Sequence, residues 1–327
     1  MKILFTGDSF LVKKIELSSD VLEKINASDF LVLNLEGVIT TSSTSRSDKA
    51  SSFRVDINDV IDLQNQIESE LVLFLCNNHM LDFGEEGLKD CISTIQEHGF
   101  KYVLNKLTLE KHEERVILQG YTSNEPSVMS VMESGVHQFY NYYDDSDLPQ
   151  DGNHIAICHW GDEYVCVPHN RIVESAKRLS KSFDLIIGHH PHVIQGVQRF
   201  DSVDVFFSLG NFYLEGFTYK NGAIHIFPKE CYLGIIVQYD SCTKENQVYG
   251  IAYSEMNNSI CLSDDAHTLF SRRSKYLDGD IKASHIKWER SYYEYLQFKN
   301  SFIVNLRSIL PKYKGLLWSY LKKILGF

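Results

Sequence analysis

Short, uninterrupted apolar runs alternate with amphipathic and polar stretches through the first two hundred residues. The runs occupy 2–6, 30–33, 71–76, 154–158 and 184–187. Apolar residues on consecutive positions over so short a length predict strands buried on both faces. Between them, 56–68, 85–98 and 170–182 carry helical spacing. Glu85 and Glu86 suit a helix N-terminus, and Gly99 suits its end. Residues 40–52 are rich in Ser and Thr without periodicity and predict a mobile loop; 141–152 predict an acidic one. Further strands are predicted at 203–208, 233–239 and 247–253, with helix from 264 onward. The apolar positions 313, 316, 317, 320, 321, 324 and 325 share one helical face. Strands alternating with helices place the chain in the α/β class.

The five runs stop abruptly, each at residues able to bind a metal. The first ends at Gly7-Asp8, the second at Asn34-Leu35-Glu36-Gly37 and the third at Asn77-Asn78-His79. The fourth ends at His159-Trp160-Gly161, and the fifth at Gly188-His189-His190-Pro191-His192. Strand ends are where ligand-binding loops gather in layered α/β proteins. Asp, Glu, Asn and several His delivered in order to five strand ends predict one polynuclear metal site.

Charge and cysteines narrow the setting. The formal net charge is −11, unevenly spread. Residues 271–327 hold 12 Lys and Arg against 4 Asp and Glu, and the remainder holds 20 against 39. An acidic body argues against nucleic-acid binding, and the basic end predicts an interacting tail. It still admits a phosphorylated substrate, because bound metals bring local positive charge. Seven cysteines without a CxxC pair fit a reducing compartment. The first strand starts at residue 2, leaving no room for a signal peptide, and no apolar run is long enough to span a membrane. The expectation is a cytoplasmic protein.

Hydrolysis of a phosphate ester needs a nucleophile and charge neutralisation, and two close cations supply both. A carboxylate bridges two cations, while neutral imidazoles and an amide oxygen complete their shells. Taken singly the motifs are uneven. Asp8 after a strand equally suits a turn or cap, Asp82 a helix cap, and His159 a core histidine beside Trp160. Three imidazoles within 189–192 have no comparable structural explanation.

The order GD, NLEG, NNHxxDxGxxG, HWGxEY, GHHPHVxQG and SLGNF (208–212) resembles the CapA-type poly-γ-glutamate and capsule biosynthesis family, itself similar to the calcineurin-like metallophosphoesterases. The resemblance covers about residues 1–240. It implies a four-layer α/β/β/α sandwich over 1–262, followed by a basic, mainly helical extension over 263–327. It implies two divalent ions (Mn, Fe or Zn). Asp8 and His192 would bind the first, Asn78, His159 and His190 the second, and Glu36 would bridge them. His79 would protonate the leaving group. Arg54 and Lys49 would meet a substrate anion from the loop, or Arg54 would form a surface salt bridge. Glu163 would orient His159, Asp82 would support the NNH loop, and His189 would be a neighbour rather than a ligand. Asn211 would hold the loop after Ser208.

Two departures from the phosphoesterase pattern stand out. Phe10 occupies the position of a metal-binding His two residues after the first Asp, and Glu36 replaces a bridging Asp. The implied function is a metal-dependent hydrolase, a phosphoesterase of capsule, surface-polysaccharide or poly-γ-glutamate production. The alternative is a non-catalytic or weakly catalytic assembly factor that binds a polyanionic polymer. Residues 302–327 would pack on the body or lie on an anionic membrane beside a capsule-synthesis complex, Trp318, Tyr313 and Tyr320 at the interface.

Overall fold

Ile155 and Ile157 on the strand Asn153–His159 enter one apolar cluster, while Ala156 and Cys158 enter another on the opposite face. That alternation places the strand's sheet between two apolar layers. The computed structural model describes residues 1–47, 51–122, 153–220, 222, 225 and 227–279. The stretches 141–152 and 302–327, for which a loop and a helix are expected, lie outside the described residues, as does Lys49.

Among the described residues the larger sheet has nine strands. Its order is Glu16–Leu17, Ser259–Leu262, Glu245–Ser254, Leu233–Asp240, Lys2–Ser9, Phe30–Leu35, Glu70–Phe74 and Lys101–Val103, with Asn211–Tyr213 beside Lys2–Ser9. The second sheet runs Val197–Phe200, Val203–Phe206, Leu185–His189, Asn153–His159, Glu114–Thr122 and Lys106–Lys111. The inward faces of the two sheets share one core that includes Ile3, Phe5, Phe74, Ile155 and Ile187. Outside the second sheet, the helix Asn170–Leu179 buries Ile172, Ala176 and Leu179 in the other cluster. Outside the first, Ser19–Asn26, Ile57–Gln64 and Gly84–Glu97 bury their apolar stripes. The layering is the α/β/β/α sandwich that the family resemblance implies. Each fully buried Ile, Leu or Phe in these layers contributes roughly 1.5–3 kcal/mol.

The predicted helices form with trimmed ends. Ile57–Gln64 starts at Asp56, whose side chain accepts from the Asn58 amide, and Asp264–Leu277 starts at Ser263, which accepts from Ala266. The helix Asp264–Leu277 packs against Glu245–Ser254 and Val197–Phe200. Glycine permits this docking. A Cβ at Gly196 would stand 2.6 Å from the Arg273 backbone, and one at Gly250 would stand 2.2 Å from the Ser263 carbonyl oxygen. The seven cysteines form no disulfide. No helix of the described residues is long and apolar enough to cross a membrane.

Parallel pairing aligns the decisive strand ends. Lys2–Ser9, Phe30–Leu35 and Glu70–Phe74 run parallel in one sheet, as do Asn153–His159 and Leu185–His189 in the other. Their carboxyl ends therefore open at one edge of the sandwich.

Candidate metal centre

A bulge aims the first carboxylate. Phe5 pairs with Val32 but Asp8 pairs with Asn34, so the first strand carries one extra residue between them. Gly7 sits in that bulge, where a Cβ would lie 2.2 Å from the Gly210 carbonyl oxygen. The Asp8 amide donates to that same oxygen at 3.0 Å. Asp8 Oδ1 accepts from Asn34 Nδ2 at 2.5 Å, and Asp8 Oδ2 accepts from the His190 amide at 3.0 Å.

Two groups of donor atoms converge from here. His159 Nε2 lies 2.8 Å from Asn78 Oδ1, 3.1 Å from His190 Nδ1 and 3.3 Å from Glu36 Oε1. His192 Nδ1 lies 3.3 Å from Asp8 Oδ2 and 3.7 Å from Glu36 Oε2. Glu36 thus faces His159 with one oxygen and His192 with the other, and the donors interlock around it: ligand atoms of Glu36, His190 and His192, and of Asp8, Glu36 and His159, lie within 4.8 Å of one another. Both of its oxygens are buried without a hydrogen bond. Such an orphaned carboxylate is costly unless a cation completes it. Metal–nitrogen distances near 2.0–2.1 Å put tetrahedral ligands about 3.3 Å apart, and the observed separations bracket that value. The donor set of imidazoles, carboxylates and one amide oxygen fits divalent transition ions. These buried groups are able to bind metal.

Backbone strain is concentrated at two of these histidines. His190 and His192 adopt φ of 94° and 56°, a left-handed region costly for residues with a Cβ. The surrounding loops enforce it: the Trp160 amide donates to the His189 carbonyl, and the Tyr164 amide to the Pro191 carbonyl.

Charge regulation follows from burial. Burial lowers His159 well below the ordinary histidine value, helped by the neighbouring imidazoles, so it presents a neutral ring suited to ligation. Burial raises Glu36 well above the ordinary carboxylate value, with Asp8 adding to the rise against the opposing pull of His192. Burial also disfavours protonated His192, but Glu36 and Asp8 outweigh it and hold the ring at about 9.

The remaining predicted residues divide. His79 Nδ1 lies 2.8 Å from Asp82 Oδ2. His189 Nε2 donates to the Thr6 carbonyl at 2.9 Å, and its ring lies over Phe74. Asn211 holds its loop through the His192 and Cys231 carbonyls and also places Oδ1 3.0 Å from His192 Nδ1. Glu163 does not orient His159. The His159 Nδ1 faces Asn34 Nδ2 at 3.4 Å, while Glu163 is exposed at the rim of the adjoining cavity. Arg54 does not join the cluster either. Its guanidinium meets the Ser42 carbonyl and lies over the Phe83 ring, beside a different cavity lined by Val12, Asp56 and Asp90.

The Asn34 amide went unassigned in the sequence, although it touches both Asp8 and His159. Its signal was its place in the motif Asn34-Leu35-Glu36, two residues before Glu36. His225 had no signal. It lies between Tyr164 and Tyr219, at 2.9 and 2.6 Å from their hydroxyls, and faces Phe217.

The family described as bacterial capsule synthesis protein PGA_cap matches residues 3–142 and 148–215, a span that contains every donor named above. The chain belongs to the PGA_cap family. It is 32% identical over 164 residues to the capsule biosynthesis protein CapA of Bacillus anthracis, covering 43% of this chain and 39% of that protein. It is 25% identical over 209 residues to the PGA biosynthesis protein CapA of Bacillus subtilis strain 168, covering 57% of this chain and 53% of that protein. The chain therefore spans about half or less of the length of these relatives. A hypothetical protein from Thermus thermophilus aligns structurally over 80% of this chain and 97% of its own, at 11% identity and a TM-score of 0.38. Within the PGA_cap match the motif order read from the sequence is the order in which the strands deliver the cluster.

Proposed function

We propose that this PGA_cap protein is a metal-dependent phosphoesterase serving capsule or poly-γ-glutamate production. The observation that carries the reading is Glu36, whose two buried oxygens make no hydrogen bond and face His159 and His192 respectively. Asn78, His159 and His190 would hold one divalent ion, Asp8 and His192 the other, and Glu36 would join both. Bound there, such ions supply an activated water and neutralise the phosphoryl oxygens. The protein's own part is positional. His79 donates Nδ1–H to Asp82, which fixes the tautomer and leaves Nε2 to exchange a proton with the leaving oxygen. His79, Asn78 and His192 line one cavity of about 240 Å³, so substrate, proton donor and donor groups would meet there.

The test is metal analysis of purified protein, followed by a Mn²⁺-supplemented assay on generic phosphomonoesters and diesters. Two equivalents of metal, lost in His190→Ala, with turnover lost in His79→Ala at unchanged metal content, support the enzyme. A folded protein that takes up no metal rejects it.

A second reading, the assembly factor, draws on Phe10. That ring packs on Phe53 at 4.2 Å and provides no donor, which leaves the Asp8 and His192 group with few ligands. Turnover unaffected by His79→Ala, or absent with both metals bound, would favour it. In either reading we place the protein in the cytoplasm, and residues 302–327 at the inner membrane face beside a synthesis complex.

A further inference from the structure

The cavity beside the metal centre is lined by Asn78, His79 and His192 together with a wall of aromatic rings, chiefly Tyr164, Phe217, Tyr219 and Phe227, and by Glu163. The wall adjoins the metal side: the Tyr164 ring lies 6.0 Å from that of His192, and Phe217 lies 4.8 Å from Phe53, which stacks on His79. The wall is held rigid. Phe217 lies within 7° of parallel to His225 at 4.8 Å, and it meets Tyr219 edge-on at 5.0 Å. His225 is in turn fixed by hydroxyls from Tyr164 and Tyr219. An immobile aromatic wall favours a compact ring over a flexible chain, because little side-chain entropy is lost on binding.

Glu163 sets the polarity of the occupant. It makes no hydrogen bond or ion pair among the described residues, and no Lys or Arg of those residues lines the cavity. An ionised carboxylate only accepts hydrogen bonds, so the occupant must donate through hydroxyl or ammonium groups. A carboxylate-rich chain would meet like charge at Glu163. Glu163 and Tyr164 belong to the HWGxEY motif within the family match, whereas Phe217, Tyr219 and Phe227 lie beyond residue 215, where that match ends.

Resting on the phosphoesterase reading, we propose that the substrate is a phosphorylated ring bearing hydroxyl or amino donors, an amino sugar phosphate in class. Its phosphate sits on the metal side, its ring lies against Phe217 and Tyr219, and a donor group reaches Glu163. A glutamyl oligomer should bind this cavity more weakly than such a ring phosphate. The subsite selects the leaving group, and Glu163 is its specificity determinant.

Binding rather than turnover tests this. Calorimetry on the full chain with Mn²⁺ compares glucosamine 1-phosphate, glycerol 1-phosphate and tri-γ-glutamate. One charge-assisted hydrogen bond predicts about a tenfold preference for the ring phosphate over glycerol 1-phosphate. Glu163→Gln narrows that ratio to near one, Tyr219→Phe leaves most of it, and tri-γ-glutamate binds more weakly than the ring phosphate. Equal binding of the two phosphates, a preference unchanged in Glu163→Gln, or tightest binding of the glutamyl oligomer overturns the proposal. Selective binding without hydrolysis would instead reject the phosphoesterase reading alone, and hydrolysis without selectivity would reject the subsite alone.

Discussion

Phe53 lies flat against the His79 imidazole, with ring centroids 4.0 Å apart and planes 8° from parallel. The Phe53 amide also donates at 2.7 Å to Asp82 Oδ2, the oxygen that pairs with His79 Nδ1. One residue therefore fixes the imidazole by its face and the carboxylate by its charge. Stacked aromatic pairs contribute about 0.5–1.5 kcal/mol beyond their buried area. Phe53→Leu should lower stability by about 1–3 kcal/mol through the lost stack and the poorer fit. A displaced proton donor should reduce turnover roughly tenfold to a hundredfold, with metal content unchanged and Phe53→Tyr close to wild type. Denaturant unfolding and metal analysis, run beside the assay, separate these effects.

Phe10 completes the stack on the far side of Phe53, at 4.2 Å and 19°. The position that supplies a metal ligand in the phosphoesterase pattern here supports His79 through an intervening ring. Phe10→His should therefore place an imidazole against Phe53 and leave metal stoichiometry unchanged. Phe10→Leu and Phe53→Leu should be non-additive in the double variant, because both remove one continuous stack. Metal titration of Phe10→His that reveals an added equivalent would contradict this arrangement.

The contrast between Glu36 and Arg54 explains how much could be read before the fold was known. Glu36 follows an apolar run and a fully buried strand, so its burial and its need for partners were implicit in the local pattern. The same holds for His159, the last residue of its strand, and for His190 and His192, one and three residues past theirs. Arg54 lies on the two-residue strand Arg54–Val55 and Glu163 on a loop, and the direction of side chains on such short or irregular segments is set by tertiary contacts that no period encodes. The Ser42 carbonyl and the Phe83 ring took Arg54 away from the centre. The strands Lys106–Lys111 and Val197–Phe200 were missed because their exposed, charged positions break any apolar run. The bulge at Gly7 was invisible for a different reason. It depends on the neighbouring Gly210, some two hundred positions away.

Proton and metal compete for the centre, and the sign of that competition can be worked out. His192 is raised to about 9 and Glu36 is raised above 4.5, so above pH 6.5 the folded, metal-free chain binds more protons than the unfolded one. Its stability should fall from about pH 6.5 to 9. His159 is lowered and acts only in the opposite direction, costing stability as pH falls below its unfolded value near 6.5. Metal binding displaces the retained protons, so affinity should rise over the same alkaline window. The gap in melting temperature between Mn²⁺-loaded and chelated protein should widen from pH 6.5 to 9. A constant gap across that range would show that His192 does not hold a proton that the metal must displace.

Gly7→Ala offers a test of the bulge that touches no donor atom. The new Cβ would fall 2.2 Å from the Gly210 carbonyl oxygen and 3.1 Å from the Asn211 carbonyl carbon. Both are backbone atoms, so relief requires the strand to move rather than a side chain to rotate. Movement here stretches the bond from the Asp8 amide to Gly210 and turns Asp8 away from Asn34 and the His190 amide. It also shifts Asn211, which lies against His192. Overpacking of this kind costs about 1–3 kcal/mol, which a sandwich with two filled cores should survive. The expected outcome is a folded protein that loses the metal held by Asp8 and His192 first and retains more of the one at Asn78, His159 and His190. Metal analysis after stepwise dialysis, with circular dichroism to confirm folding, reads this directly. Equal loss of both metals would mean that Glu36, rather than the first strand, sets the affinity of the two positions together.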